Sequence, residues 1–166
     1  MKEAVFTRLT GLFDRFTAIV ERPRVLGAMI GIPTSIVLGL AVWLTPATQG
    51  FGTHIQLGLG GCAMLTMTGW PCPMCGMTTT FSLMAHLRPL EALVTQPFGI
   101  VLFLLTVVGA VLGMGDLLTN RGLLNGLFRW VGRREQVVAL GLLFGMIGGW
   151  IYKCIRMHPE VLSFLS

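Results

Sequence analysis

Charged side chains are scarce in this 166-residue sequence. Only 11% of the residues are Asp, Glu, Lys or Arg, whereas soluble domains carry about a quarter. None of the four occurs between Arg24 and Arg88, and 54% of the whole sequence is hydrophobic. Because a soluble core could not bury so long an uncharged run, the sequence predicts a protein that lies in a bilayer.

The patterns of several common functional classes are also missing. There is no Ser-His-Asp set, phosphate-binding glycine loop, dinucleotide fingerprint or pair of carboxylates, so neither hydrolysis nor nucleotide chemistry is predicted. The net charge of +5 comes without an aromatic-basic patch, and we therefore expect no nucleic-acid partner. Four cysteines are too few for a disulfide scaffold of this length. No A-x-A-like site closes the first apolar run, so we expect it to be retained as an anchor.

Three apolar segments are long enough to cross a membrane as helices. They are predicted at residues 25–45, 97–118 and 136–152. Two further segments place basic residues opposite Leu and Phe, which is typical of amphipathic helices at a membrane surface. These are residues 1–22, for which docking on other protein is an equal alternative, and the loop 119–135. The predicted organisation is a single membrane domain, residues 23–155, followed by a short tail, residues 156–166.

The region between the first two spans is harder to assign. It is uncharged, but its upstream part is rich in glycine and its downstream apolar run is only about a dozen residues long, which is too short for a helix that crosses about 30 Å. We predict a re-entrant or interfacial helical hairpin over residues 52–88, packed against the spans. A fourth span is the alternative. The predicted fold class is thus an all-α membrane protein with about three transmembrane helices and this hairpin.

The distribution of basic residues predicts the orientation. With three spans, nine Lys and Arg residues fall on one side and three, Arg88, Lys153 and Arg156, on the other. The positive-inside rule then places the N-terminus in the cytoplasm of a bacterial cell and the hairpin on the outer side of its cytoplasmic (inner) membrane. The nine are Lys2, Arg8, Arg15, Arg22, Arg24, Arg121, Arg129, Arg133 and Arg134.

Small residues recur at intervals of four along each predicted span. This spacing allows helix backbones to approach closely, which favours a tight bundle, or contacts with other membrane subunits or a second copy of the chain. The residues are Gly27, Gly31, Ser35 and Gly39 in the first span, Gly109 and Gly113 in the second, and Gly141, Gly145 and Gly149 in the third.

The segment Cys72-Pro73-Met74-Cys75-Gly76 has the spacing of a metal knuckle. Two residues between the cysteines allow both thiolates to bind one zinc ion, or another soft or borderline metal, at about 2.3 Å. Cys62 and His54 lie upstream and could complete a set of four ligands. A second, weaker pair consists of Cys154 and His158, four residues apart on one helical face.

Two other interpretations of the same cysteines stay open. Cys72 and Cys75 could be a thiol-disulfide pair, since Gly76 precedes a predicted helix start and a helix N-terminus lowers the pKa of a nearby thiol. They could instead be small packing residues in a sharp turn. Asp116, at the end of the second span, is expected to reach the membrane interface rather than to serve a buried proton path.

The stretches "THIQLGLGGC" from Thr53 and "TGWPCPMCGMTTTF" from Thr68 resemble an uncharacterised family of small bacterial membrane proteins, known as a domain of unknown function, with a Cys-Pro-x-Cys-Gly-x-Thr core. The resemblance covers residues 52–105 and implies a common role for His54, Cys62, Cys72 and Cys75, which favours the metal site. The chain departs from the family pattern at Gly60-Gly61, at Thr79, where many members have Arg, and at Arg88-Pro89.

These observations favour a small accessory or structural membrane subunit over an enzyme. In that hypothesis, Cys72 and Cys75, with Cys62 and His54, bind a metal ion or staple the hairpin. The alternatives are a membrane thiol-disulfide carrier that uses Cys72 and Cys75, and a component of a transporter or pore, which the small-residue stripes permit.

Overall fold

A computed structural model describes residue 19 and residues 22–158. This part of the chain contains seven α-helices and no strand, which confirms the predicted all-α class. Most of the predicted N-terminal helix, residues 1–22, and the tail beyond residue 158 lie outside the described residues.

Three of the helices are long and apolar enough to cross a bilayer. They are α1 (Pro23–Trp43), α5 (Pro97–Thr119) and α7 (Glu135–Met157). The shortest has 21 residues, and a helix of that length extends over about 31 Å. The prediction of a multi-pass membrane protein with three spans is therefore confirmed at this level.

The helices between α1 and α5 are all short. They are a 3-10 helix (Thr53–Leu57), α2 (Ala63–Thr68), α3 (Met77–Ala85) and α4 (Pro89–Thr95). The longest, α3, has nine residues, so the alternative of a fourth span in this region is wrong. The loop after α5 contains α6 (Leu123–Gly132).

The chain divides into two compact units. The first contains the residues up to Ser35 together with Val108–Arg134, and the second contains Ile36–Val107 and the residues from Glu135 onward. In the first unit, α1 and α5 touch through their backbones: a Cβ atom added to Gly113 would lie 2.5 Å from the Cα of Gly31, and one added to Gly27 would lie 2.7 Å from the carbonyl oxygen of Gly113. Part of the predicted small-residue pattern thus serves helix packing within the chain.

Asp116 joins the end of α5 to the start of α6 in the same unit. Its Oδ1 accepts a hydrogen bond from the backbone N–H of Leu123 at 2.7 Å, and its Oδ2 accepts one from Leu124 at 2.8 Å. The side chain is fully buried within the protein; the expectation that it lies at the membrane interface stays a prediction. Two amides at the positive end of the α6 dipole stabilise the carboxylate there.

The second unit packs around α3. The hydroxyl of Ser82 donates to the carbonyl of Leu44, and the ring of Phe81 meets that of Phe103 edge to face, with centroids 5.4 Å apart. The glycines of α7 contribute as well, because Cβ atoms at Gly145 and Gly149 would lie within 3 Å of Phe98. Around Gly39 and Gly141, in contrast, no atom lies within 4 Å of the added Cβ.

Candidate functional site

The cysteine turn is shaped by its backbone and by Gly76. The N–H of Cys75 donates to the carbonyl of Cys72 at 2.9 Å, and Gly76, with φ of 87°, caps the first turn of α3. The predicted helix start after Gly76 is confirmed. A Cβ atom at Gly76 would lie 2.8 Å from the carbonyl oxygen of Gly50 and 3.1 Å from Nζ of Lys153. Both the conformation and the space therefore require glycine.

A cavity of about 430 Å³ opens beside this turn. We call it the thiol pocket, because its lining includes Cys62, Cys72 and Cys75. His54, from the 3-10 helix, lies in the same wall. The four residues that the sequence singled out for one site are thus gathered around one cavity, although they come from three separate segments.

The thiols of Cys62 and Cys72 both line the thiol pocket, and they lie close enough together that each affects the pKa of the other. Cys62 precedes the first residue of α2, and the backbone N–H of Leu65 lowers the pKa of its thiol by hydrogen bonding to the sulfur. Burial, and then the neighbouring Cys62, raise the pKa of the Cys72 thiol. Of these two thiols, Cys62 is therefore the one that loses its proton more easily.

Cys75 lies deeper than the other two thiols and is buried. Burial raises its pKa to about 11; the charge of Cys72 acts in the same direction, and the ammonium of Lys153 opposes both. The expected lowering of this pKa by the helix N-terminus is therefore wrong, because the loss of hydration outweighs the helix dipole at this position.

Lys153 is the main feature of the site that sequence reasoning missed. Its side chain is only 6% exposed, and its Nζ donates to the carbonyl oxygens of Gly50 at 3.0 Å and Thr95 at 3.3 Å. A lysine close to the end of an apolar helix is ordinarily a residue that extends to the membrane surface. No local pattern around Lys153 indicates that its side chain would be buried.

Other side chains hold the carbonyls of the cysteine loop. The indole N–H of Trp150 donates to the carbonyl of Pro71 at 2.8 Å, and Nε2 of Gln96 lies 3.5 Å from that of Pro73. Deeper in the unit, the hydroxyls of Thr53 and Thr79 are 2.8 Å apart. The contacts of Trp150 and Gln96 hold the loop that carries Cys72. The residues in each of these hydrogen bonds are far apart in the chain, so no local sequence pattern predicts which of them pair.

The weaker predicted pair, Cys154 and His158, does not line the thiol pocket. Nε2 of His158 lies 3.1 Å from the carbonyl oxygen of Gly69, and its ring packs on Trp70 with centroids 4.7 Å apart. His158 thus contacts the cysteine loop from outside the cavity.

Within the part of the chain that the structure describes, no three His, Cys, Asp or Glu side chains are grouped closely enough to hold one metal ion. The arrangement does bring three thiols to the lining of one cavity, where they affect one another's pKa values. The assignment of zinc to His54, Cys62, Cys72 and Cys75 therefore stays a prediction.

Comparison with known families locates this site within a recognised segment. Residues 62–110 match a family described as a protein of unknown function (DUF2752). The predicted resemblance to an uncharacterised family is thereby confirmed for a segment that contains all three thiols of the pocket. His54 lies before it. Comparison with curated proteins and with solved structures finds no match.

Proposed function

We propose that this chain is a small multi-pass membrane protein whose function resides in the thiol pocket, and that the pocket performs thiol-disulfide exchange through Cys62 and Cys72. The observation that carries the proposal is that these two thiols line the same cavity, close enough together for each to affect the pKa of the other. Exchange needs an attacking thiolate and a second thiol within reach of it. Cys62 supplies the first and Cys72 the second, so Cys62 joins the pair that the sequence suggested.

The proposed step begins when the Cys62 thiolate attacks a disulfide of a partner protein or peptide. A mixed disulfide forms at Cys62, and one partner thiolate leaves. Cys72 then loses its proton to water and attacks Sγ of Cys62, and the second partner thiolate leaves. The partner disulfide gains two electrons, and Cys62 and Cys72 become one disulfide. The reverse sequence would oxidise a partner dithiol.

The pocket is proposed to face the outer side of a bacterial cytoplasmic membrane, with the N-terminus in the cytoplasm. The support for this orientation is the excess of basic residues in the N-terminal segment and in the loop between α5 and α7, which the positive-inside rule assigns to the cytoplasm. Disulfides persist on the outer side, whereas cytosolic thiols are kept reduced. The segment of residues 52–88 would then lie in or against the outer membrane face.

The exchange proposal is tested by trapping thiols in living cells. Rapid acid quenching, alkylation and peptide mass mapping should recover a Cys62–Cys72 disulfide in a fraction of the chains, and that fraction should fall when a reductant is added to the cells. A Cys62→Ser variant should capture partners poorly, whereas a Cys72→Ser variant should accumulate mixed disulfides at Cys62. Cys154→Ser, outside the pocket, is the matched control. If Cys62 and Cys72 never change their redox state, they form at most a structural disulfide, and the exchange proposal is contradicted.

Metal binding is the second candidate, favoured by the position of His54 in the same wall as the three thiols. Zinc or another soft ion would need these side chains to move closer together than they are. Elemental analysis of purified protein should then find near-stoichiometric metal that is lost in a Cys72→Ser/Cys75→Ser variant. Metal-free wild-type protein of full thermal stability would exclude this candidate, and the trapping result would be unaffected.

A further inference from the structure

The first unit carries a strongly basic surface that the thiol pocket does not use. The arginines among its described residues are all exposed: Arg22, Arg24, Arg121, Arg129, Arg133 and Arg134. Among the described residues of this unit, Asp116 is the only acidic one, and both of its oxygens accept hydrogen bonds from backbone amides. The positive charge of the six guanidinium groups is therefore not balanced within the described part of the unit.

The geometry of the unit brings these arginines to one end of two spanning helices. The start of α6 is held to the end of α5 by Asp116. It also meets the start of α1, since a Cβ atom at Gly122 would lie 3.7 Å from Cγ of Pro23. Arg22 and Arg24 flank Pro23, and Arg121 precedes Gly122. All three thus lie where the spans end, at the level of lipid headgroups.

The α6 helix adds an apolar side to this surface. Leu124 is buried, with 1% of its surface exposed, whereas Phe128 and Trp130 are 47% and 57% exposed. Arg129 stands between these two aromatic residues in the chain, about 100° around the helix from each, and the guanidinium of Arg134 sits 5.8 Å from the ring centroid of Trp130. A helix that exposes arginines directly beside large aromatic side chains is suited to the boundary between acyl chains and headgroups.

We propose that α6 and the six arginines form a binding surface for the headgroups of anionic phospholipids in the surrounding bilayer. Guanidinium groups bind phosphate through two parallel hydrogen bonds, and clusters of basic residues next to a membrane span attract anionic lipid. Phe128 and Trp130 would lie among the upper acyl carbons. This surface is independent of the thiol chemistry, because none of its residues lines the thiol pocket.

The test uses the full chain in nanodiscs that contain phosphatidylcholine and phosphatidylglycerol in equal amounts. Lipid retained after transfer to detergent is identified by native mass spectrometry. The wild-type chain should retain phosphatidylglycerol in several-fold excess, and an Arg129→Gln/Arg133→Gln/Arg134→Gln variant should lose most of that excess. Arg88→Gln is the control, since Arg88 pairs with Glu91 and lies outside the first unit. Equal enrichment in the triple variant would overturn the proposal.

A second measurement leaves the arginines unchanged and so does not depend on the folding of the triple variant. Trp130 emission is obtained as the difference between wild type and Trp130→Phe. Brominated phosphatidylglycerol should quench this emission more strongly than brominated phosphatidylcholine, and high salt should reduce the difference. Equal quenching by the two lipids would contradict a preference for anionic headgroups.

Discussion

At the scale of single residues, Lys153 links the third span to the walls of the site. An ammonium taken out of water needs hydrogen-bond acceptors in place of its hydration, and the carbonyls of Gly50 and Thr95 supply them. The same group lies close enough to Cys75 to act on its thiol electrostatically. One side chain therefore joins α7, the loop before the 3-10 helix and the end of α4.

We predict that Lys153→Met loosens this junction. The variant keeps the apolar stem but leaves two buried carbonyls without their donor, at a cost of about 1–3 kcal/mol for each lost partner. Thermal unfolding in detergent should shift to lower temperature, and Cys75 should be alkylated faster than in the wild type. Arg156→Gln, an exposed change in the same helix, should alter neither. Unchanged protection of Cys75 would show that Lys153 does not hold the turn.

The site residues differ in how far the sequence could reveal them. The spacing of Cys72 and Cys75 identifies them as candidate site residues. Cys62 and His54 are identified by the resemblance to the family pattern, and all four residues line one cavity. Other features depend on tertiary packing, which no local pattern encodes. They are the proximity of Cys62 to Cys72, the hydrogen bond between Thr53 and Thr79 and the buried ammonium of Lys153. The pKa of Cys75 was misjudged for the same reason, because burial depends on the fold.

At the scale of elements, the spans could be predicted from the sequence, whereas the bounds of the short helices could not. The predicted spans at 25–45, 97–118 and 136–152 agree with α1, α5 and α7 because long apolar runs leave little choice. The short helices between them are delimited by glycines with positive φ, among them Gly52, Gly58 and Gly69. Such boundaries depend on individual backbone conformations rather than on periodicity, so the sequence predicted a hairpin without its internal division.

The contact between α1 and α5 gives the element-scale prediction. A Gly113→Leu substitution places a side chain where the backbone of Gly31 already lies, and overpacking of this kind costs about 1–3 kcal/mol or more. We expect a clear decrease in thermal stability, measured by circular dichroism in detergent. Gly39→Leu and Gly141→Leu are matched controls, since nothing lies within 4 Å of an added Cβ at either position. Equal losses in all three variants would rule out a special role for the Gly113 contact.

The Gly39→Leu and Gly141→Leu variants also test whether these helix faces bind a partner within the membrane. Gly27, Gly31, Gly145 and Gly149 are used for packing inside the chain, which is one of the two uses predicted from the sequence; contact with other subunits or a second copy is the other. Gly39 and Gly141 keep the open surface that such a contact requires. A change of oligomeric state in either control variant, at unchanged stability, would assign a partner to that face.

At the scale of the whole molecule, the orientation in the membrane decides whether the thiols can exchange with partners. A cytosolic pocket would be kept reduced by the thiol pool, whereas a pocket on the outer side meets disulfides and oxidants. The proposed orientation follows from the positive-inside rule. Because the redox proposal requires that orientation, a single measurement of topology tests both.

That measurement compares two threonines that each end a helix, Thr68 in α2 and Thr119 in α5. In a background without the four native cysteines, Thr68→Cys should react with a membrane-impermeant maleimide on intact cells. Thr119→Cys should react only after the cells are permeabilised, since an odd number of spans separates the two positions and both are exposed. The reverse labelling pattern would move the thiol pocket to the cytoplasm. It would also remove the arginine surface from the leaflet to which the positive-inside rule assigns it, because that rule depends on the same basic residues.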